Sequence, residues 1–238
     1  VNPFLQHRQL KKSTSMRHKR LVCYAGISLV LGLPSSAFSQ QAGTWSLRGG
    51  WLQVAPSVNS GNLTPSALPE FQADVLKNTR FGGGINYTLN DHWAVDVPVA
   101  VPFRHDIMGA GSASGFGKLG DVRSIPVTVL AQYRLGSPQT TLRPYVGVGL
   151  VYARFDQVNP STTLLSLTGP NTTVSVASRW GTAWQAGADW TLTPHSHWFV
   201  HSSVSKILVS TQANLSTDQT LSLHLDPWSF CIGLGYRF

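Results

Sequence analysis

Residues 93–103 read WAVDVPVAVPF. Trp93, Val95, Val97, Val99, Val101 and Phe103 fall at every second position, separated by Ala94, Asp96, Pro98, Ala100 and Pro102. A period of two sends one set to one face of an extended strand and the other set to the opposite face. The run is as long as a tilted strand needs to cross a bilayer, about 9 to 11 residues.

Working outward, seven further stretches share this alternation. They are Trp45 to Val54, Thr79 to Leu89, Ser124 to Leu135, Leu142 to Phe155, Trp180 to Leu192, His197 to about Val209, and a last one running from about Thr220 to Phe238. Connections after the second, fourth and sixth are short turns: Asn90-Asp91-His92, Gly136-Ser137-Pro138 and Thr193-Pro194-His195-Ser196. The others are longer and rich in Gly, Ser, Thr, Asn and Pro. Outer-membrane barrels have this asymmetry of periplasmic turns and outer loops. Trp and Tyr recur near strand ends, where interfacial aromatic belts sit. The second face is small and weakly charged, as in Gly181, Ala183, Gln185 and Gly187, or Ser229, Cys231, Gly233 and Gly235. That face makes a poor water surface for a soluble lipocalin-like barrel but suits a narrow lumen. Open sheet edges cannot face lipid, so the sheet must close. The expected fold is all-β: an eight-stranded antiparallel transmembrane β-barrel.

Composition agrees. Only 12% of the 238 residues are charged, about half the share in an ordinary soluble domain. The formal net charge of +8 suggests nucleic acid at first. However, Arg8, Lys11, Lys12, Arg17, Lys19 and Arg20 all precede residue 40, where no acidic residue occurs. The basicity belongs to a leader, and no nucleic-acid partner is expected. Arg17-His18-Lys19-Arg20, the apolar Leu21 to Leu33 and the small-x-small Ala37-Phe38-Ser39 make the three parts of a secretory signal. The expected organisation is a cleaved signal over residues 1–39, with residues 1–15 an upstream extension if Met16 initiates, and a barrel over 40–238. Cys23 lies in the leader, so the mature chain keeps Cys231 alone and has no intramolecular disulfide.

If the apolar positions face lipid, the interior holds Arg48, Arg80, Asp96, Arg134, Arg143, Asp189 and Arg237. All but Arg80 lie in the strand halves nearer the short turns. Isolated charges are costly in a narrow interior, so Arg48, Asp96, Arg134, Arg143, Asp189 and Arg237 should form a lumen ion-pair cluster that closes the periplasmic side. Pro98, Pro102, Pro126 and Pro144 each lack a backbone donor, and each could weaken a ladder to make a lateral opening.

The residues also carry a resemblance. WAVDVPVAVPFRHDI at 93–107, LRPYVGVGLVYARFD at 142–156, Ser178-Arg179-Trp180-Gly181 with the following QAGADW at 185–190, Leu225-Asp226-Pro227-Trp228 and the terminal Gly235-Tyr236-Arg237-Phe238 resemble, in order, the strand signatures of the OmpW family. That resemblance implies an eight-stranded barrel in the outer membrane of Gram-negative bacteria, associated with passage of small hydrophobic molecules and with stress responses. It implies that Tyr236 and Phe238 form a C-terminal signal read by barrel-assembly machinery. One departure is that strand seven offers Ser203 and Ser205 where family members can carry bulky apolar side chains narrowing the lumen.

Other chemistry is thinly represented. A hydrolase needs Ser, His and an acid to converge. His105, His201 and His224 are available beside many serines, but Glu70 is the single Glu and no G-x-S-x-G elbow occurs. The Gly109 to Gly120 stretch has Gly117-Lys118 but Leu119 in place of the Ser or Thr of a phosphate loop, so a flexible outer loop is expected. His195-x-His197 has no carboxylate or Cys nearby, and no metal or cofactor is expected. The expectation is therefore a channel for small apolar solutes with outer-membrane lipids as its surroundings, not an enzyme. The alternatives are a structural or adhesion barrel and, further off, a lipid-modifying enzyme.

Overall fold

The computed structural model describes residues 42–65, 70–193 and 196–238. The expected signal over 1–39, with Cys23, and the Pro194-His195 part of the third short turn lie outside the described residues.

Fourteen strands occur among the described residues: β1 (Trp45–Ala55), β2 (Asn59–Ser60), β3 (Phe71–Val75), β4 (Asn78–Thr88), β5 (Trp93–Ala100), β6 (Phe103–Gly111), β7 (Lys118–Arg134), β8 (Leu142–Pro160), β9 (Val174–Val176), β10 (Arg179–Thr191), β11 (Trp198–Leu208), β12 (Ser210–Leu215), β13 (Thr220–His224) and β14 (Trp228–Arg237). A short helix α1 (Thr162–Thr168) follows β8. Nine of the strands form the barrel wall, because β5 and β6 are two halves of one crossing. Antiparallel ladders run β1–β4, β4–β5, β5–β7, β6–β7, β7–β8, β8–β10, β10–β11, β11–β14 and back from β14 to β1. The eight-stranded ring is closed. Phe238 completes the seam by donating its N–H to the Trp45 carbonyl at 2.9 Å.

The alternation resolves as expected on most strands. Trp51, Phe81, Val99, Val127, Val148, Leu150, Trp184 and Ile232 are exposed on the outside, while Ala94, Asp96, Leu130, Gln132, Val151 and Ala183 are buried inside. An outer surface this apolar requires hydrocarbon against it, not water. Trp180 and Trp190 mark the edges of the band on β10. Ten residues along a strand tilted as in barrels span about 25 Å of band height. Aromatic pairs recur at both edges, with Trp93–Tyr133 centroids 5.2 Å apart at the short-turn end and Tyr152–Trp180 5.0 Å apart at the other.

Four local expectations are corrected. Phe103 does not continue the outward row of Trp93 to Val101. Val101 and Pro102 are both exposed and unassigned to a strand, so the parity flips and Phe103, 1% exposed, points inward. Bulges of this kind are where a strand re-aims its side chains. The Gly109–Gly120 stretch is no loose loop: β6 and β7 extend as a hairpin turned at Ala113–Gly117, with Gly111 and Gly117 at φ of +59° and +67°, which a Cβ would disfavour. The final stretch is two elements, since β13 leaves the wall and β14 begins only at Trp228. Arg80 has the interior parity of its register partner Leu52, yet it is exposed near the open end.

At the long-loop end, β2, β13, β12 and β9 form a separate four-stranded sheet. Leu63, Phe71, Ala73, Leu119, Ala213, Leu221 and Leu223 pack into its apolar core. Helix α1 begins at Ser161, whose hydroxyl accepts the Leu164 N–H at 3.1 Å as an N-cap. Its seven residues are too few to display a helical period.

Val148 faces outward at mid-band, between the rows of Leu142 and Tyr152. Val148→Lys should lower the unfolding free energy in lipid vesicles by about 2–4 kcal/mol, the cost of a cation at the bilayer midplane. A lumen-facing exchange such as Ser205→Thr should stay within about 1 kcal/mol. Denaturant titration by tryptophan fluorescence measures both.

Candidate functional site

The interior of the short-turn half is a hydrogen-bonded polar cluster. Alternation on β1, β5, β7, β8, β10 and β14 turns Arg48, Asp96, Arg134, Arg143, Asp189 and Arg237 inward, and all six are buried. Arg48 meets Asp96 bidentately, Nη1 to Oδ1 at 2.5 Å and Nη2 to Oδ2 at 2.7 Å. Arg134 donates to Asp189 Oδ2 at 2.9 Å. Arg143 donates to the carbonyl of Asp91 in the first short turn. Arg237 donates to Thr191 Oγ1 at 3.1 Å and lies 4.2 Å from the Phe199 ring centroid.

Neutral residues join these ions into one network. Asn86 Nδ2 donates to Gln132 Oε1 at 2.9 Å, and Gln132 Nε2 donates to Gln185 Oε1 at 2.6 Å. Arg134 Nη2 reaches Asn86 Oδ1 at 3.2 Å. His201 Nδ1 faces Asp189 Oδ1 at 2.9 Å, and its Nε2 faces Ser203 Oγ at 3.2 Å and Tyr145 Oη at 3.5 Å. Asn86, Gln132, Tyr145, Gln185 and His201 were not singled out as cluster members from sequence. A signal was nevertheless available for three of them, since Gln132, Tyr145 and Gln185 share strand parity with Arg134, Arg143 and Asp189. Ser203, His201 and Asp189 thus stand in the row that hydrolysis would require. Here Asp189 also serves Arg134, so the row is continuous with the ion network.

Glycines make the space for these large side chains. A Cβ on Gly84 would stand 2.6 Å from Arg48 Nη2, and one on Gly235 would stand 2.1 Å from the Phe199 ring. The small interior residues seen in the sequence are therefore sockets for Arg48 and Phe199.

Above the polar floor the lumen is divided and mainly apolar, with Arg48, Thr128 and Ser229 also facing its lower part. A lower cavity is lined by Leu52, Gly83, Pro98, Leu130, Gln185, Ser203, Ser205 and Cys231. An upper one is lined by Pro56, Val75, His105, Val151, Phe155, Val209, Leu225 and Pro227. Val54, Phe103, Pro126 and Ile207 line both and so form the ring between them. Strand seven does present Ser203 and Ser205 to the lumen, but an apolar narrowing exists nearer the loops, and the inverted Phe103 is its largest member.

The wall beside the lower cavity is incomplete. Pairing of β5 with β7 runs from Trp93↔Tyr133 to Asp96↔Leu130 and stops. It resumes on β6 at Phe103↔Ser124. Among the described residues, no ladder joins 97–102 to 125–129. Pro98 and Pro102 lie on one side of this gap and Pro126 on the other, and Pro98, Val99, Ala100 and Pro126 line the lower cavity. Val99 and Ala100 also line a groove on the outer surface with Phe81 and Ile85. Pro144 lies elsewhere, in the continuous β8–β10 ladder opposite Ala188. Tyr236 and Phe238 sit at the seam near the short-turn end, with ring centroids 5.2 Å apart.

A model described as the OmpW family matches residues 41–238. "Outer membrane protein W" of Salmonella typhi is 33% identical over 219 residues, covering 90% of this chain and 97% of that protein. The "Dibenzothiophene metabolism operon protein PahQ" of Pseudomonas aeruginosa is 26% identical over 224 residues, with 92% and 99% covered. Among solved structures, the outer-membrane protein OprG from Pseudomonas aeruginosa superposes with a TM-score of 0.75 at 27% identity, covering 83% of this chain and 97% of that one.

Asp96→Asn should leave the Arg48 guanidinium buried without its counter-ion, at a cost of about 3–5 kcal/mol in unfolding free energy. The double replacement Arg48→Met, Asp96→Leu should recover most of that loss. Equal stability of wild type and Asp96→Asn in lipid vesicles would contradict the cluster's energetic role.

Proposed function

The chain belongs to the OmpW family of Gram-negative outer-membrane β-barrels, and from that premise we propose that it is a passive conduit for small hydrophobic molecules with a lateral exit into the bilayer. The observation that supports this reading is the meeting of an apolar lumen with an unpaired stretch of wall. A solute entering under the long loops passes the Val54, Phe103, Pro126 and Ile207 ring and reaches the lower cavity. Below lie Arg48, Asp96, Arg134, Arg143, Asp189 and Arg237, which close the periplasmic side. An apolar molecule does not cross them, because their paired charges would lose partners without gaining solvation. Beside the solute the wall lacks its ladder, and Pro98, Pro102 and Pro126 have no N–H with which to rebuild it. The way out is sideways, through Val99 and Ala100, into hydrocarbon. The name of the PahQ relative, which ties that protein to metabolism of an apolar aromatic compound, agrees with an apolar cargo.

Residues 1–39 act in this reading as the export signal, and Tyr236 with the terminal Phe238 as the signal for the barrel-assembly machinery. The Ser203–His201–Asp189 row is the one observation that favours a lipid-modifying enzyme. Its Asp189 is committed to Arg134 and its His201 nitrogen is shared with Tyr145, so we assign the row to the closure of the floor.

A disulfide between Val99→Cys and Val127→Cys, made in a Cys231→Ser background, would staple the gap. In cells lacking the native gene, uptake of a radiolabelled aromatic hydrocarbon should fall by about tenfold on oxidation and return on reduction. Unchanged uptake through the stapled barrel rejects the lateral path. No difference between cells with and without the unmodified protein rejects the conduit and leaves a structural or adhesion barrel. A fluorophosphonate probe should leave Ser203 unlabelled by mass spectrometry, whereas stoichiometric labelling lost in His201→Gln would identify an enzyme.

A further inference from the structure

The outward face changes character where β6, β7 and β8 rise past the aromatic edge of the lipid band. On β8 the outward series runs Val148, Leu150, Tyr152 and then Arg154. On β7 it runs Val129, Val127, Ile125 and then Arg123. Arg104 is exposed between the buried Phe103 and His105 on β6, so it too points outward. Register places Arg104 opposite Arg123, and Arg154 opposite Ile125. Three guanidiniums therefore share one outer patch on three adjacent strands, immediately above the Tyr152–Trp180 pair.

Like charges directly opposite one another destabilise a sheet unless an anion answers them. Two carboxylates do so in part, both from the loop side. Arg123 gives Nε and Nη2 to Asp156 at 2.6 and 2.8 Å. Arg104 gives Nη1 to Asp121 at 2.6 Å and Nη2 to Gln157 at 3.2 Å. The hydrogen bond from Arg123 holds the Asp156 carboxyl below the usual carboxylate range, so it stays ionised and keeps that guanidinium oriented. Arg154 donates to no side chain among the described residues, and Nη1 of Arg123 is uncommitted as well. With Lys118, which pairs with Asp106 at 2.6 Å and lies 3.7 Å from Asp121, four cations face three carboxylates, which leaves one positive charge and a set of open donors at the level where aromatic belts meet lipid headgroups.

We propose that Arg104, Arg123 and Arg154 form a binding site for a phosphate monoester on the headgroup of an outer-leaflet glycolipid. A phosphate monoester brings nearly two negative charges and three acceptor oxygens, and guanidinium forks pair with it bidentately. A carboxylate would balance the single excess charge, but its two oxygens would leave part of the open donor set unanswered. The aromatic edge directly below gives the acyl chains of the same lipid a surface to lie on. The site is independent of the lumen and of the conduit reading.

The test uses the folded full-length barrel in phosphatidylcholine nanodiscs, titrated with a diphosphorylated glucosamine-disaccharide lipid or its dephosphorylated counterpart and followed by native mass spectrometry. The wild type should bind the phosphorylated lipid at least about tenfold more tightly. Arg123→Gln and Arg154→Gln should each remove most of that preference, Arg154→Lys should restore only part of it, and Lys206→Gln on β11, separated from β8 by β10, should keep it. Heat-modifiable migration on gels checks that each variant is folded. Equal binding of the two lipids, or full preference in the Arg123→Gln, Arg154→Gln double variant, overturns the proposal. Complete displacement of the lipid by millimolar inorganic phosphate also overturns it, because the site would then be one for soluble phosphate.

Discussion

Hydrocarbon offers no hydrogen bonds, so every backbone N–H and C=O inside the band needs a partner from the chain itself. That requirement explains why the strands close into a ring, why β14 returns to β1, and why alternation dominates the sequence. It also makes the interval between β5 and β7 meaningful. Among the described residues, neighbouring wall strands are joined by ladders, yet 97–102 and 125–129 have none to each other, and three of those positions are prolines with nothing to donate. The requirement is eased where the chain has removed the groups that would impose it.

The narrowness of eight strands governs the interior. A lumen of this size is filled by its own side chains, and here the filling is graded. Charged and amide groups occupy the short-turn half, where they find partners on other strands and in the first short turn. Mainly apolar groups, with a few hydroxyls such as Thr128 and Ser205, line the remainder. Interior glycines permit large side chains to lie flat against the wall, so Arg48 and Phe199 occupy space that a methyl group at Gly84 or Gly235 would take. The polar half is cross-linked by its hydrogen bonds, although Arg48 Nε and Arg237 Nη2 are buried without a hydrogen-bond partner. The apolar half has cavities because Val54, Phe103, Pro126 and Ile207 touch it without filling it.

Much of this was legible in the sequence, for a definite reason. A period of two is imposed by the backbone, so the wall strands and the six ionisable residues of the floor could be placed by counting alone. Counting failed wherever the chain left that period. Two residues at Val101 and Pro102 break the alternation, and every inference about Phe103 inverts with them. The amide and histidine members of the floor carry no formal charge to mark them in the sequence, although Gln132, Tyr145 and His201 sit at the same parity as Arg134, Arg143 and Ser203. The loop sheet was out of reach. Strand β2 pairs with β13 across most of the chain, and neither is long enough to show a pattern. Gly109–Gly120 looked irregular by composition, yet its glycines serve a turn while its strands continue.

The seam carries a consequence for the order of assembly. Strands β1 and β14 are the most distant in sequence of all neighbours in the wall, and ten residue pairs join them, from Ser46↔Arg237 to Ala55↔Trp228. Every other neighbouring pair in the ring can zip up from a nearer connection, whereas this one pays the full loop-closure entropy of the chain. The cylinder can be sealed only after its last strand has been delivered to its first. Until then β1 and β14 each present a bare edge, and an incomplete ring in this membrane is an adhesive one.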